Sequence, residues 1–250
     1  MLELIIIGSG TGVPSLFRAS PAILIKTKNT YILMDTGPGT LRQLLRVNVH
    51  FSKIDIILYT HLHPDHVTDL VHFLFAAKNE PQFRCDKPVL IFGPRGFLDF
   101  YERLKMAYGE WVVLPEEKAI LSEISPYKKT TKNDILIHAF PTFHTENSQG
   151  YRIETDGKVL AYSGDAAETD ALISLAKDAD IFICEASFPK ETPYHLTPGI
   201  AGKIAKESDC KCLILNHLYP ECDAADPVAQ CRRYYHGPLI IAQDLLRIKV

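Results

Sequence analysis

Within Tyr59-Thr60-His61-Leu62-His63-Pro64-Asp65-His66, three imidazoles and a carboxylate fall within six residues, directly after the apolar run Ile54-Asp55-Ile56-Ile57-Leu58. Imidazole nitrogens and carboxylate oxygens are the donors that hold Zn²⁺, and they also suit Mn²⁺ or Fe²⁺. In open α/β sheets, ligands gather beyond the carboxyl ends of strands. The run therefore predicts a metal site at a strand end. An extended backbone would send alternate residues the same way, so His61, His63 and Asp65 are expected in one pocket. His66 follows at the turn. Val67, Leu70, Val71, Leu74 and Phe75 then recur at helical spacing, which predicts a helix over Val67 to Ala77.

Three more candidates stand in the same kind of place, each just past an apolar strand. His144 follows Phe140-Pro141-Thr142-Phe143, Asp165 follows Ala161-Tyr162-Ser163-Gly164, and His217 follows Leu213-Ile214-Leu215-Asn216. Of the other histidines, His138 falls in mid-strand, and His50, His72 and His236 are read as bystanders.

The elements that must carry these residues alternate. Strands are expected at Leu2 to Ile7, Ala22 to Lys26, Thr30 to Met34, Ile54 to Tyr59, Pro88 to Phe92, Asp134 to Phe140, Tyr151 to Glu154, Val159 to Ser163, Asp180 to Cys184 and Lys211 to Leu215. Helices are expected at Phe97 to Ala107, Asp170 to Lys177, Thr197 to Glu207 and Pro227 to Tyr235 as well. The two halves have comparable element lists without a sequence repeat, and two sheets faced by helices would bury both sets of strands. The loop Gly8-Ser9-Gly10-Thr11-Gly12 lacks the G-x-G-x-x-G spacing, and Pro14 blocks an immediate helix, so no dinucleotide cradle is expected.

At 250 residues with 46% hydrophobic and 23% charged residues, the chain reads as one α/β domain spanning 1–250. No apolar run approaches the roughly 20 residues of a membrane helix, and no export signal is visible. The cysteines Cys85, Cys184, Cys210, Cys212, Cys222 and Cys231 show no C-x-x-C pair, so they read as buried or surface thiols in a reducing cytoplasm. A net charge of -3 offers nothing global to a polyanion. Lys128, Lys129 and Lys132 read as a solvated loop.

Taken together, Asp35, the His61 to His66 motif, His144, Asp165 and His217 resemble, in order, the ligand set of the metallo-β-lactamase superfamily. The resemblance implies a four-layer αββα sandwich with metals at one edge between the sheets. It implies two divalent metal ions, with zinc as the default and Mn or Fe as alternatives. His61, His63 and His144 would bind one ion, Asp65, His66 and His217 the other, and Asp165 would bridge them. Asp35 would orient a ligand from behind. Such a pair can hold a shared hydroxide and stabilise attacking and departing oxygens. With Asp65, Asp165 and that hydroxide counted, the net charge is about +1, which suits a monoanionic ester.

Cys184-Glu185-Ala186-Ser187-Phe188 and His195-Leu196-Thr197, with Ser163-Gly164-Asp165 and His217-Leu218-Tyr219-Pro220, resemble the ribonuclease Z-like phosphodiesterase branch. That implies a catalytic group of Asp65, His195 and Glu185, in which His195 protonates the leaving oxygen or stabilises phosphoryl charge while Glu185 fixes the ring. Transfer-RNA processing members carry a long basic arm, absent here between Gly93 and His144. Their early loop carries Lys and Arg-Asn, where Pro14 to Ser20 keeps only Arg18. The expected partner is therefore a small anionic ester rather than nucleic acid. A transfer-RNA 3′ endonuclease and a metal-binding nucleotide sensor are the alternatives, thioesterase and sulfatase relatives are less favoured, and likeness to relatives suggests a homodimer.

Overall fold

The computed structural model describes residues 2–81, 83, 86–132 and 134–250, so Cys85 lies outside the described residues. Strand β1 (Glu3–Gly8) is apolar on both faces: Leu4 and Ile6 turn one way, Ile5 and Ile7 the other, all at 0% exposure. A sheet with two apolar faces has to be covered on both. The first sheet sets side by side β1, β2 (Ala22–Lys26), β3 (Tyr31–Met34), β4 (Ile56–Leu58), β5 (Val89–Gly93) and β6 (Ala119–Glu123). The second sets side by side β7 (Lys129–Lys132), β8 (Ile135–Pro141), β9 (Gln149–Thr155), β10 (Lys158–Tyr162), β11 (Ile181–Glu185), β12 (Leu213–Asn216) and β13 (Leu239–Ile241). β14 (Arg247–Lys249) returns to pair with β1 in the first sheet.

The inner faces meet: Leu4, Ile23, Ile32 and Leu58 pack with Ile137, Ile153, Leu160 and Ile183. The outer face of the first sheet packs Ile5, Ile57 and Tyr59 under helices α1 (Thr40–Arg46), α3 (Asp69–Asn79) and α4 (Phe97–Tyr108), with the short turn α2 (Pro64–Val67) leading into α3. The outer face of the second packs Phe182, Cys184 and Leu213 under α5 (Asp170–Ala176), α6 (Pro198–Glu207) and α8 (Pro227–Cys231), while α7 (Pro220–Asp223) caps the loop after β12. The result is the expected αββα sandwich. β3 to β6 run parallel, as do β10 to β13. Both parallel blocks therefore present carboxyl ends along an edge, where the candidate residues stand.

Differences from the expected elements have local causes. Lys129 and Lys132 lie in an edge strand rather than a loop, where lysines discourage pairing with another chain. The last helix ends at Cys231 rather than Tyr235: beyond it the backbone tightens to three-residue bonds, Arg233 N–H to the Gln230 carbonyl and Tyr234 N–H to the Cys231 carbonyl, and the Arg232 side chain holds the carbonyls of Tyr235 and Gly237. The loop after β1 packs against residues 18–20, where a Cβ at Gly8 would stand 1.9 Å from the Ser20 carbonyl oxygen, and no helix follows it. The described cysteines are free thiols. Among the described residues, no helix is long and apolar enough to cross a membrane.

Candidate metal centre

The histidine motif is held at its root by the opposite sheet. Tyr151 Oη donates to the Tyr59 carbonyl at 2.8 Å, and the Gln149 N–H donates to the Thr60 carbonyl at 2.9 Å. Pro64, with no N–H to lose, opens α2 with His63 as an extended N-cap residue. The extended run thus stops at His63, which corrects the expectation of one pocket for His61, His63 and Asp65. Helical rotation carries Asp65 and His66 into a second group. Gly164, at φ +58°, lets the Asp165 loop approach the motif: a Cβ there would fall 2.7 Å from Thr60 Cβ.

Two groups of side-chain atoms result. His61, His63, His144 and Asp165 bring one atom each within 4.8 Å of one another, and Asp65, His66 and His217 do the same. Asp165 stands between them. Its Oδ2 lies 3.9 Å from His61 Nε2 and 3.7 Å from His144 Nε2, while its Oδ1 lies 3.2 Å from His66 Nε2 and 3.3 Å from His217 Nε2. Asp65 Oδ2 is 3.6 Å from His66 Nε2 and 3.5 Å from His217 Nε2.

The far side of each ring fixes which nitrogen faces the centre. His144 Nδ1 lies 2.8 Å from the Tyr194 carbonyl, which can only accept, so Nδ1 carries the proton and Nε2 offers a lone pair. His66 Nδ1 donates to Asp35 Oδ2 at 2.8 Å. Asp35 also accepts from Thr60 N–H at 2.9 Å, Thr60 Oγ1 at 2.9 Å and Tyr162 Oη at 3.0 Å. With its proton spent on Asp35, Thr60 Oγ1 accepts from His61 Nδ1 at 3.0 Å. Among the described residues, His61 Nε2, His66 Nε2, His217 Nε2 and Asp165 Oδ1 are buried without a hydrogen-bond partner. Buried polar atoms are rarely left so. Converging lone pairs repel unless a cation lies among them, and a tetrahedral ion with bonds of about 2.0–2.1 Å spaces its nitrogens by about 3.3 Å. The donor set fits divalent metal.

Burial pushes His61 well below its ordinary pKa, and burial with the neighbouring His144 pulls His63 down. Burial also opposes charge on Asp165 and Asp65, but the surrounding imidazoles prevail and hold both below the usual carboxylate range. His66 is raised: burial opposes its proton, and the Asp165 and Asp35 carboxylates outweigh that.

The Glu185/His195 pair adjoins the second group. His195 Nδ1 lies 3.1 and 3.2 Å from the two Glu185 oxygens, and a His195 ring nitrogen lies within 4.8 Å of Asp165 and His217. Burial disfavours the His195 cation, but the Glu185 hydrogen bond and charge win and raise its pKa. Glu185 is itself 1% exposed. It accepts from Ala166 N–H at 2.6 Å, which ties it to the Asp165 loop.

Other residues separate from the centre. His138 packs beside Phe140 on β8, His50 caps a short turn, and His72 lines an apolar surface groove of about 780 Å³. Arg18 is occupied: Asp223 holds it at 2.8 and 2.7 Å, and it donates to the Ala242 carbonyl and Ser9 Oγ. Cavities flank the ligand atoms on both sides, about 590 Å³ beside Gly12, Pro14 and Asp65, and about 230 Å³ beside His61, His63, Arg95 and Asn147. Sequence reasoning missed Thr60, Tyr162 and Ser187. Adjacency to His61 marks Thr60, whereas only folding brings Tyr162 to Asp35.

Comparison with known proteins gives this geometry a family. Residues 30–218 match the family model described as "Beta-lactamase superfamily domain". The chain is 24% identical to ribonuclease Z of Methanosarcina mazei, with 100% of this chain and 98% of that protein covered. Among solved structures it resembles the metallo-beta-lactamase fold protein YhfI from Bacillus subtilis, at TM-score 0.86 and 22% identity over 99% of this chain and 98% of that one. A diphosphatase from the PhnP family superposes at TM-score 0.79 and 21% identity, covering 100% and 98%. The chain belongs to the beta-lactamase superfamily domain family and is a metal-dependent hydrolase with the metallo-β-lactamase fold.

Proposed function

We propose that this hydrolase acts on a small phosphodiester or nucleotide in the cytoplasm, using two divalent ions, zinc by default. His61, His63 and His144 would hold one, Asp65, His66 and His217 the other, and Asp165 would serve both. The observation that carries this reading is Asp165, whose two oxygens each face a separate set of imidazoles. Such a pair of ions, when bound, supplies an activated water and offsets the charge of an anionic ester. The chain's own contribution is His195, which would give a proton to the leaving oxygen while Glu185 holds its Nδ1–H and keeps the ring aimed. Cavities of about 590 and 230 Å³ suit a small ester.

A second reading, cleavage of precursor transfer RNA at its 3′ side, is favoured by the full-length similarity to the Methanosarcina mazei ribonuclease Z. Three features weigh against it. The alignment runs over 310 positions against 250 residues here, leaving about 60 without a counterpart. Residues 97–141 are taken up by α4, a short 3-10 turn, β6, β7 and β8 with their connections, which leaves no projecting arm among the described residues. Arg18, the basic residue left in the early loop, is engaged by Asp223. Backbone affinity for RNA needs many such cations.

Protein loaded with Zn²⁺ or Mn²⁺ is to be tested against bis(p-nitrophenyl) phosphate, cyclic nucleotides, a sulfate ester, a thioester and precursor transfer RNA. Hydrolysis of the diesters with little RNA cleavage is expected. RNA cleavage far exceeding diester turnover moves the assignment to the second reading, and metal and nucleotide binding without turnover of any ester makes the protein a sensor.

A further inference from the structure

Ser187, two residues beyond β11 and 0% exposed, has a single hydroxyl proton to give. Its Oγ lies 2.5 Å from Glu185 Oε2, 2.9 Å from His217 Nδ1 and 3.3 Å from His195 Nδ1. The other neighbours of Glu185 are donors: Ala166 N–H, Ser187 N–H and His195 Nδ1. The carboxylate therefore accepts throughout, and the Ser187 proton goes to it. With that proton spent, Oγ can only accept from His217. His217 Nδ1 must then carry its hydrogen, which leaves the Nε2 lone pair facing Asp65 and Asp165.

We propose that Ser187 is a positioning residue that passes the charge of Glu185 on to His217, so that one buried carboxylate aligns His195 directly and His217 through a hydroxyl. The inference rests on the two-ion reading above and adds to it a link between metal retention and the proton-donating pair. The same device occurs independently at the end of the first sheet. There Asp35 takes His66 Nδ1 directly and reaches His61 Nδ1 through Thr60 Oγ1, with the Thr60 N–H also on the carboxylate. A carboxylate behind a ligand imidazole raises its basicity and fixes its tautomer, with effects on metal affinity of about 10–100-fold when it is lost. A hydroxyl between them can transmit this only if its proton points to the carboxylate, which is the order found here.

The test is Zn²⁺ affinity, measured on folded protein by competition with a chromophoric chelator. Ser187→Ala should weaken one of the two bound Zn²⁺ ions by about 10–100-fold, and Ser187→Thr, which restores the hydroxyl, should return to within about threefold of the parent. A role in packing alone makes Ala the better tolerated replacement. In the zinc-loaded parent, nitrogen-15 histidine spectra should show a protonated Nδ1 on His217, a readout that stands even if Ser187→Ala fails to fold. Full zinc affinity in Ser187→Ala, or an unprotonated Nδ1 on His217, overturns the coupling and leaves the two-ion reading intact. Failure of the parent to bind zinc removes both.

Discussion

Asp35 and Glu185 stand at the ends of opposite sheets with matching surroundings, and they differ in what they leave open. Each accepts from a backbone N–H and the hydroxyl of one residue, from one imidazole Nδ1, and from one further donor. Around Asp35 both imidazoles are sealed: His66 is 0% and His61 1% exposed, and the further donor, Tyr162, crosses from the second sheet. Around Glu185 one imidazole, His217, is sealed at 2%, while the His195 side chain keeps 16% of its surface open. A fully enclosed carboxylate with two enclosed rings can only hold a shape. A carboxylate with one ring at the surface can also present a proton to whatever arrives. In the proposed reading, the first arrangement therefore sets the metals and the second joins that task to chemistry.

The harshest way to break the comparison is Asp35→Ala. It strands the His66, Thr60 and Tyr162 donors in a buried site. Removing one member of a buried charged pair costs about 3–5 kcal/mol, so a large fall in Tm is expected, with both ions lost and turnover undetectable. Retention of two ions at an unchanged Tm would show that the Asp35 arrangement does not organise the centre. His195→Ala should differ in kind: metal content stays at the parent level while kcat falls by about 10²–10⁴-fold. A variant that keeps its turnover removes His195 from the reaction, and one that sheds metal makes it a ligand instead of a proton donor.

How much of this could be read in the chain follows from the same contrast. Asp35, His61 and His217 sit just beyond uninterrupted apolar strands, so the strand itself flagged them, and the inner strands were legible because both of their faces are buried. β6, β7, β13 and β14 were not, since nearly all of their residues are half-buried or exposed and an edge strand needs no apolar run. Helix α1 has Gly39 as its N-cap residue, at φ +87° and with no side chain to cap it, so it lacks a start signal. Thr60 and Ser187 escaped for a different reason. A hydroxyl earns meaning only from which neighbour takes its proton, and that depends on His217 and Asp35 arriving from elsewhere in the fold.

Smaller changes sharpen the comparison. Thr60→Val keeps the shape of the side chain but deprives His61 Nδ1 of its acceptor and Asp35 of a donor. Zn²⁺ held by the His61, His63 and His144 group should weaken by about 10–100-fold, a loss like that expected for Ser187→Ala but at the other ion, which metal-resolved titration can distinguish. Equal loss of both ions in either variant would mean that the two arrangements act as one unit.

The smallest effect is expected at Arg18, whose contacts join the two sheets at the wall of the cavity beside Asp65. Its guanidinium grips Asp223 of α7 in a forked pair and reaches the Ala242 carbonyl beyond β13, so it ties the early loop to the second sheet. Asp223 keeps 41% of its side chain exposed, and partly exposed pairs contribute about 0.2–1 kcal/mol. Arg18→Ala should lower Tm by a few degrees and leave KM for a small phosphodiester within about threefold, because a cation already engaged by a carboxylate has little left for a phosphate. A tenfold rise in KM at unchanged metal content would show that Arg18 exchanges Asp223 for substrate, and the early loop would then belong to recognition as well as to the frame.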